Sequence, residues 1–286
     1  MTVPNVRDAV LRIRDLPTLP SVLGKILATA ADPDASALDL GKHISADQSL
    51  SATLLKLVNS AYYGFYRQIA SVSQAIVMLG FLEVRNLTLT ATAFRTLGQS
   101  TSDYDRVQLW RHSLGTAMAA ERLAKLLKME TEGVFESGLL HDIGKVALDM
   151  LYPEEFRQAA HRAHAEGRPV HETERQIFGV DHAEIGGILG EHWNLPPAVV
   201  EAICCHHAPE QATLNPALAH LIALADALTY QADLGELSNG IPPELPEKSL
   251  QQLRLTAGQA LEIVEVLKKS QEKIDEFVGA LRPGAK

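Results

Sequence analysis

Seven side chains between residues 112 and 226 have the types and settings to hold divalent cations: His112, His141, Asp142, His182, His206, His207 and Asp226. Imidazole and carboxylate together suit first-row divalent ions, and a carboxylate has two oxygens with which to bridge a pair of them, as an imidazole cannot. They stand in LWRHSLGTA, LLHDIGKV, VDHAEIGG, CCHHAP and LIALADAL, on separate predicted helices or at their ends. Taken singly, each has an ordinary explanation, since a lone helical histidine such as His112 is more often a hydrogen-bonded boundary residue than a ligand. Asp226 resists that explanation. Leu221, Ile222, Leu224 and Ala225 make its helix apolar, and an unpaired buried carboxylate is strongly disfavoured or changes its pKa. A cation removes the penalty. Histidine usage agrees, with ten of the eleven after residue 105 and only His43 before it.

The neighbours of these residues fit one cleft. His141 and Lys145 are four apart and share a helical face if the helix continues through them, and Gly144 and Gly186 permit close backbone approach. Pro209 ends the helix carrying His206 and His207, placing the pair at a terminus that leans towards solvent. Cys204 and Cys205 lack the spacing of a thiolate metal site and are expected to be small buried residues. His161, His164, His171, His192 and His220 are expected on solvated faces or in core contacts, with His171 and His192 the best placed to support the ligands from behind.

The elements that must gather these groups are helical. Apolar spacing such as Leu54, Leu55, Leu57, Val58 or Leu218, Leu221, Ile222, Ala225 has the helical period, and sustained alternation is absent. The fold class is therefore all-α: an N-terminal helical bundle packed on a C-terminal helical domain. Ser36, Asp47, Ser71 and Asp181 are predicted N-caps, Gly80, Gly98 and Gly167 mark ends, and Pro196–Pro197 precedes another start. The polar run QSTSD at 99–103 coincides with a change in charge and histidine content, so the boundary is set near 105, giving parts 1–105 and 106–286. GELSNGIPPELPEKS at 235–249 suits a surface excursion before amphipathic closing helices over 250–282. Tyr62, Tyr63, Phe65 and Tyr66 around Gly64 are expected to wedge a loop between helices.

Composition narrows the function classes. Net charge is −9, and residues after 105 carry 17 Lys/Arg against 26 Asp/Glu, which argues against an extended nucleic-acid surface. Apolar runs fall short of the roughly 20 residues that span a bilayer, and the first 14 residues lack the apolar core of a signal peptide, so a cytoplasmic location is expected.

HDIGK with an upstream histidine and a downstream aspartate resembles the HD superfamily of metal-dependent phosphohydrolases. The resemblance implies that His112, His141, Asp142 and Asp226 hold one metal. His182 and the His206–His207 pair resemble the enlarged set of the HD-GYP branch, implying a second metal on Asp142, His182, His206 and His207, with Asp142 as the bridge. Lys145 matches the motif lysine expected near a substrate phosphate, which with Asp142 makes the implied catalytic pair. HHAP is followed by EQATLNPALAH with no GYP tripeptide, so the resemblance does not extend to cyclic di-GMP hydrolysis. Gln108 stands where some members place an acid for a third metal, and no third ion is expected.

LPTLPSVLGKIL, followed by HISADQSLSATLLKLVNSAYYGFYRQIASVSQAIVMLGFLEVRNLTL, is similar to the HDOD family, the HD-related output domain of bacterial signalling proteins, over about 16–212. Three functions follow as expectations. One is a regulatory module acting on a signalling protein partner or a nucleotide-like ligand; the others, sharing its ligand set, are an active phosphohydrolase and a di-iron redox or oxygen sensor. Two divalent ions are expected, iron or manganese first, with zinc, nickel or magnesium as alternatives. The regulatory module is favoured, with phosphomonoester or phosphodiester hydrolysis close behind.

Overall fold

The computed structural model describes residues 6, 37–60, 63–97, 104–130, 132–235 and 243–281, and every regular element among them is helical. LPTLPSVLGKIL, Ser36, Tyr62, Gly98, the run at 99–103 and residues 236–242 of the predicted excursion lie outside the described residues. The chain divides into two compact units. One comprises Pro17–Gln99 with Ser270–Lys286, the other Met1–Leu16 with Ser100–Lys269.

The smaller unit contains α1 (Ala37–Ser45), α2 (Gln48–Val58), α3 (Val72–Leu79) and α4 (Phe81–Leu97). The predicted caps form: Asp47 accepts the Leu50 N–H and Ser71 the Gln74 N–H, while Gly80, at φ +87°, closes α3. Leu40, Ile44, Leu50, Leu54 and Leu57 make its core. Asn59 fastens the α2–α3 loop, donating to the Leu55 and Ile69 carbonyls and accepting the Ile69 N–H. Around Gly64, Tyr63 stacks on Phe65 and donates its hydroxyl to Glu83, but Tyr66 is fully exposed and wedges nothing.

The larger unit runs through α5 (Arg106–Leu127), α6 (Val134–Leu140), α7 (Ile143–Leu151), α8 (Pro153–Glu166), α9 (Val170–Phe178), α10 (His182–His192), α11 (Pro197–Cys205), α12 (Pro216–Gln231), α13 (Glu247–Gln252) and α14 (Ala257–Leu281). The units divide the chain at 99/100 rather than 105, and the last turns of α14, from Ser270, count with the smaller unit instead of with 106–286. The reason is a continuing apolar stripe: Ile274, Phe277 and Val278 are buried, and Glu276, Gly279 and Ala280 line a groove with Ala52, Leu55 and Lys56 of α2.

Small residues set the helix spacing in the larger unit. A Cβ on Gly138 of α6 would lie 2.6 Å from the Ala117 Cα of α5, and one on Gly115 would lie 2.7 Å from Thr229 of α12. A Cβ on Gly144 would stand 1.9 Å from the His182 carbonyl oxygen and 2.9 Å from the Gly186 nitrogen, so α7 and α10 cross in backbone contact where the two glycines were expected to allow it. A buried ion pair ties the start of α5 to α7, with Arg106 donating through Nε and Nη2 to Asp149 at 3.0 and 2.6 Å.

Candidate metal centre

His141 and Asp142 do not lie within a helix. α6 stops at Leu140, the pair forms a turn, and α7 begins at Ile143, so the helix expected to continue from His141 to Lys145 is interrupted. The interruption releases both side chains. His141 turns back to give its Nδ1–H to the Gly138 carbonyl at 2.8 Å, and Asp142, though at the N-cap position of α7, spends neither oxygen on capping. Lys145 is placed three residues from Asp142 and reaches its Oδ2 at 2.6 Å.

All seven candidate residues converge around Asp142. Its Oδ2 faces His141 Nε2 at 3.4 Å and His112 Nε2 at 3.9 Å; its Oδ1 faces His182 Nε2 at 3.1 Å and His206 Nε2 at 3.9 Å. Asp226 Oδ1 stands 2.9 Å from His112 and 3.6 Å from His141. His207 joins the other side, its Nε2 2.9 Å from that of His182. Three overlapping groups, His112–His141–Asp142, His141–His206–Asp226 and His182–His206–His207, have ligand atoms within 4.8 Å of one another.

The backs of the rings explain their aim. His112 gives Nδ1–H to the Leu234 carbonyl at 2.9 Å and His206 to the Ile203 carbonyl at 2.7 Å, while His182 Nδ1 meets Glu174 Oε2 at 2.6 Å. A carbonyl can only accept, so His112, His141 and His206 all donate from Nδ1; His206, like His141, turns its Nε2 lone pair inward, whereas His112 Nε2 meets Asp226 Oδ1 at 2.9 Å. His141 and His206 Nε2 are buried and without hydrogen-bond partners. Buried polar atoms are rarely left so. Two lone pairs lacking donors, beside two carboxylates, fit a cation.

Electrostatics point the same way. Burial and the neighbouring His141 and His182 push His206 down to about 3, and burial with His206 holds His207 well below the usual range, so both are neutral donors. Burial opposes charge on His182, but Glu174 outweighs it and lifts the pKa to about 9; Asp142 and Asp226 likewise hold His141 up against burial. Despite burial, His141 and Lys145 hold Asp142 low, and His112 and His141 hold Asp226 low. The upward pull on His141 and His182 thus registers the negative potential of these carboxylates, which a cation would answer.

Residues 16–209 match the model of the HDOD domain. The chain belongs to the HDOD family. A Treponema pallidum (strain Nichols) protein without an assigned activity is 36% identical over 206 residues, covering 70% of this chain; the match spans 40% of that protein's length. Among solved structures, an HDOD domain protein of unknown function from Geobacter sulfurreducens superposes with a TM-score of 0.82 at 27% identity, covering 96% of both chains. A Shewanella amazonensis SB2B protein provisionally classed as a phosphohydrolase gives 0.75 at 26% identity, covering 96% of this chain and 98% of its own. No described helix of this HDOD chain is long and apolar enough to cross a membrane.

Other expectations divide. His171 stacks on His207 with centroids 4.0 Å apart, supporting it as expected, whereas His192 is exposed. His161 and His164 are exposed, and His220 bonds Ser249. The His206–His207 terminus leans to solvent only at His207. His206 is 2% exposed because the turn after α11 folds it inward onto Ile203. Cys204 and Cys205 are part-exposed rather than buried, and Cys204 packs its side chain against Gly187 of α10. Three features were not anticipated: Glu174, the Leu234–Gly235 corner, and Tyr230, whose ring lies 4.2 Å from that of His112. Glu174 had a signal, its spacing with Ile177 and Phe178 on the buried face of α9. Gly235 explains itself in three dimensions only: at φ +114°, a Cβ there would stand 2.9 Å from His112 Nδ1.

Proposed function

We propose that this chain is a signalling output module whose HD-type centre takes two divalent cations sharing Asp142. The observation that carries the reading is the division of Asp142, with Oδ2 towards His112 and His141 and Oδ1 towards His182 and His206. His112, His141, Asp142 and Asp226 would hold one ion, and Asp142, His182, His206 and His207 the other. Imidazole-rich donors favour iron, zinc or nickel over magnesium, and the carboxylates Asp142 and Asp226 keep manganese in range. When bound, such ions supply Lewis acidity towards phosphoryl oxygens and acidify water.

The chain's own residues set what the site accepts. Asp142 holds the Lys145 ammonium at 2.6 Å, and this pairing, against the pull of burial, keeps Lys145 charged and able to orient an anionic phosphate. Carbonyl anchors hold the rings of His112, His141 and His206 in one orientation. As a regulator, the module would read a signalling partner or a nucleotide-like ligand through this centre. Hydrolysis of a phosphomonoester or phosphodiester is the second reading, favoured by Lys145 beside the shared carboxylate.

Elemental analysis after growth in metal-replete medium is expected to give two ions per chain, and Asp142→Asn none. Stoichiometric metal in Asp142→Asn would refute the shared centre. A panel of phosphomonoesters, nucleotides and cyclic dinucleotides with Mn²⁺ or Fe²⁺ separates the two functions. Turnover lost in His141→Ala establishes the enzyme, and no turnover from a two-metal chain favours the regulator.

A further inference from the structure

We propose that Glu174 is a positioning residue that supplies the missing negative charge to one half of this centre and thereby decides whether that half binds its cation. The inference rests on the two-cation reading above. The halves are chemically unequal. His112 and His141 have Asp226 as a second carboxylate at 2.9 and 3.6 Å, whereas of His182, His206 and His207 only His206 comes within 4.8 Å of it, so that half leans chiefly on Asp142. A divalent ion among three neutral imidazoles and half a shared carboxylate is left undercompensated in a buried setting.

Glu174 lies one hydrogen bond behind that deficit. Its Oε2 accepts both the Nδ1–H of His182 at 2.6 Å and the backbone N–H of the same residue at 2.9 Å, so one oxygen fixes the ring and the start of α10 together. Both residues are 0% exposed. Glu174 Oε1 is buried without a hydrogen-bond partner, so the recorded hydrogen bonds of this interior charge go to His182 alone. Orientation by itself does not require a charge. His112, His141 and His206 are aimed equally well by the neutral carbonyls of Leu234, Gly138 and Ile203. A carboxylate behind a ligating imidazole raises its basicity, and loss of such a partner typically costs about 10–100-fold in metal affinity. Glu174 is itself held, because α9 is pinned by Thr173, whose hydroxyl donates to the Ala159 and Val170 carbonyls.

Apo protein titrated with Co²⁺, followed by visible absorption and checked by elemental analysis, tests this. Glu174→Gln preserves shape and both acceptor contacts and removes only the charge. It is expected to retain one site at wild-type affinity and to weaken the other by about 10–100-fold. Glu174→Asp, keeping the charge, is expected to recover part of the loss, and Asp226→Asn to weaken the opposite site. Equal weakening of both sites by Glu174→Gln, or two sites at wild-type affinity, overturns the proposal. So does a Glu174→Gln chain that fails to fold or that melts lower by the same amount with and without Co²⁺, because Glu174 is then structural. A wild-type chain that binds fewer than two ions sinks the two-cation reading itself, a result visible without any variant.

Discussion

Gly144→Ala tests how the centre is assembled. The added methyl would stand 1.9 Å from the His182 carbonyl oxygen, where a relaxed carbon–oxygen contact is roughly 3.3 Å, so α7 and α10 must part by about 1.4 Å. Both sides of the clash are backbone, and no rotamer relieves it. Overpacking of this kind costs about 3 kcal/mol, and the better helix propensity of alanine returns about 1. The net loss of about 2 kcal/mol corresponds to a fall of roughly 3 °C in melting midpoint for a chain of 286 residues. Because His182 sits on one helix and Asp142 heads the other, metal affinity should fall as well. Calorimetry of apo protein and Co²⁺ titration measure the two effects. Gly258→Ala, whose methyl meets nothing nearer than Thr256 Oγ1 at 4.0 Å, is the control and is expected to leave both unchanged or slightly improved. A Gly144→Ala chain with wild-type melting and wild-type metal affinity would refute the claim that direct backbone contact sets the site.

Further outcomes follow from other contacts. Asp149→Ala removes the carboxylate that accepts twice from the buried Arg106 guanidinium and is expected to cost about 1.5–3 kcal/mol in denaturant unfolding, part of it recovered in Arg106→Met/Asp149→Leu; a double variant no better than the single one counts against the ion pair. Gly235→Ala should weaken the ion held by His112 and Asp226 with helix content unchanged, read by Co²⁺ titration beside circular dichroism. Burial opposes ionisation of Glu201, but the N–H groups of Asn215, Leu214 and Thr213 hold its pKa below the ordinary value of 4.5. Its folded-state pKa is depressed, so its contribution is present above that value and lost as pH falls through it. Wild type should therefore exceed Glu201→Gln in stability by about 1 kcal/mol at pH 7, as for a helix cap, and a gap that does not narrow as pH falls below 4.5 would be the wrong result.

The gathering of histidines and aspartates was legible because composition exposes cost: Asp226 among Leu221, Ile222 and Leu224 has no apolar justification, and ten histidines crowd one part of the chain. The helix caps at Asp47, Ser71 and Asp181 were legible because capping is local. The break at His141–Asp142 was not. LLHDIGKV carries no proline and continues the apolar helical pattern, and the turn exists because Gly138 and Gly144 press against two different neighbours, Ala117 and His182. Glu174 lay in the charged run ETER, where its spacing with Ile177 and Phe178 was the one sign of burial and the docking of α9 supplies the rest. The fate of the final helix was equally non-local, since its stripe runs unbroken through Lys269 and Ser270 while the units divide there.

A carboxylate is a rigid planar fork, and that of Asp142 has one tine in each half of the cluster. A shift of a few tenths of an ångström in His182 cannot be absorbed on its own side; it swings the fork and is felt at once by His141 and Lys145. The two halves are therefore geared together, and whatever touches α10 from outside has a mechanical line to the opposite side of the cluster.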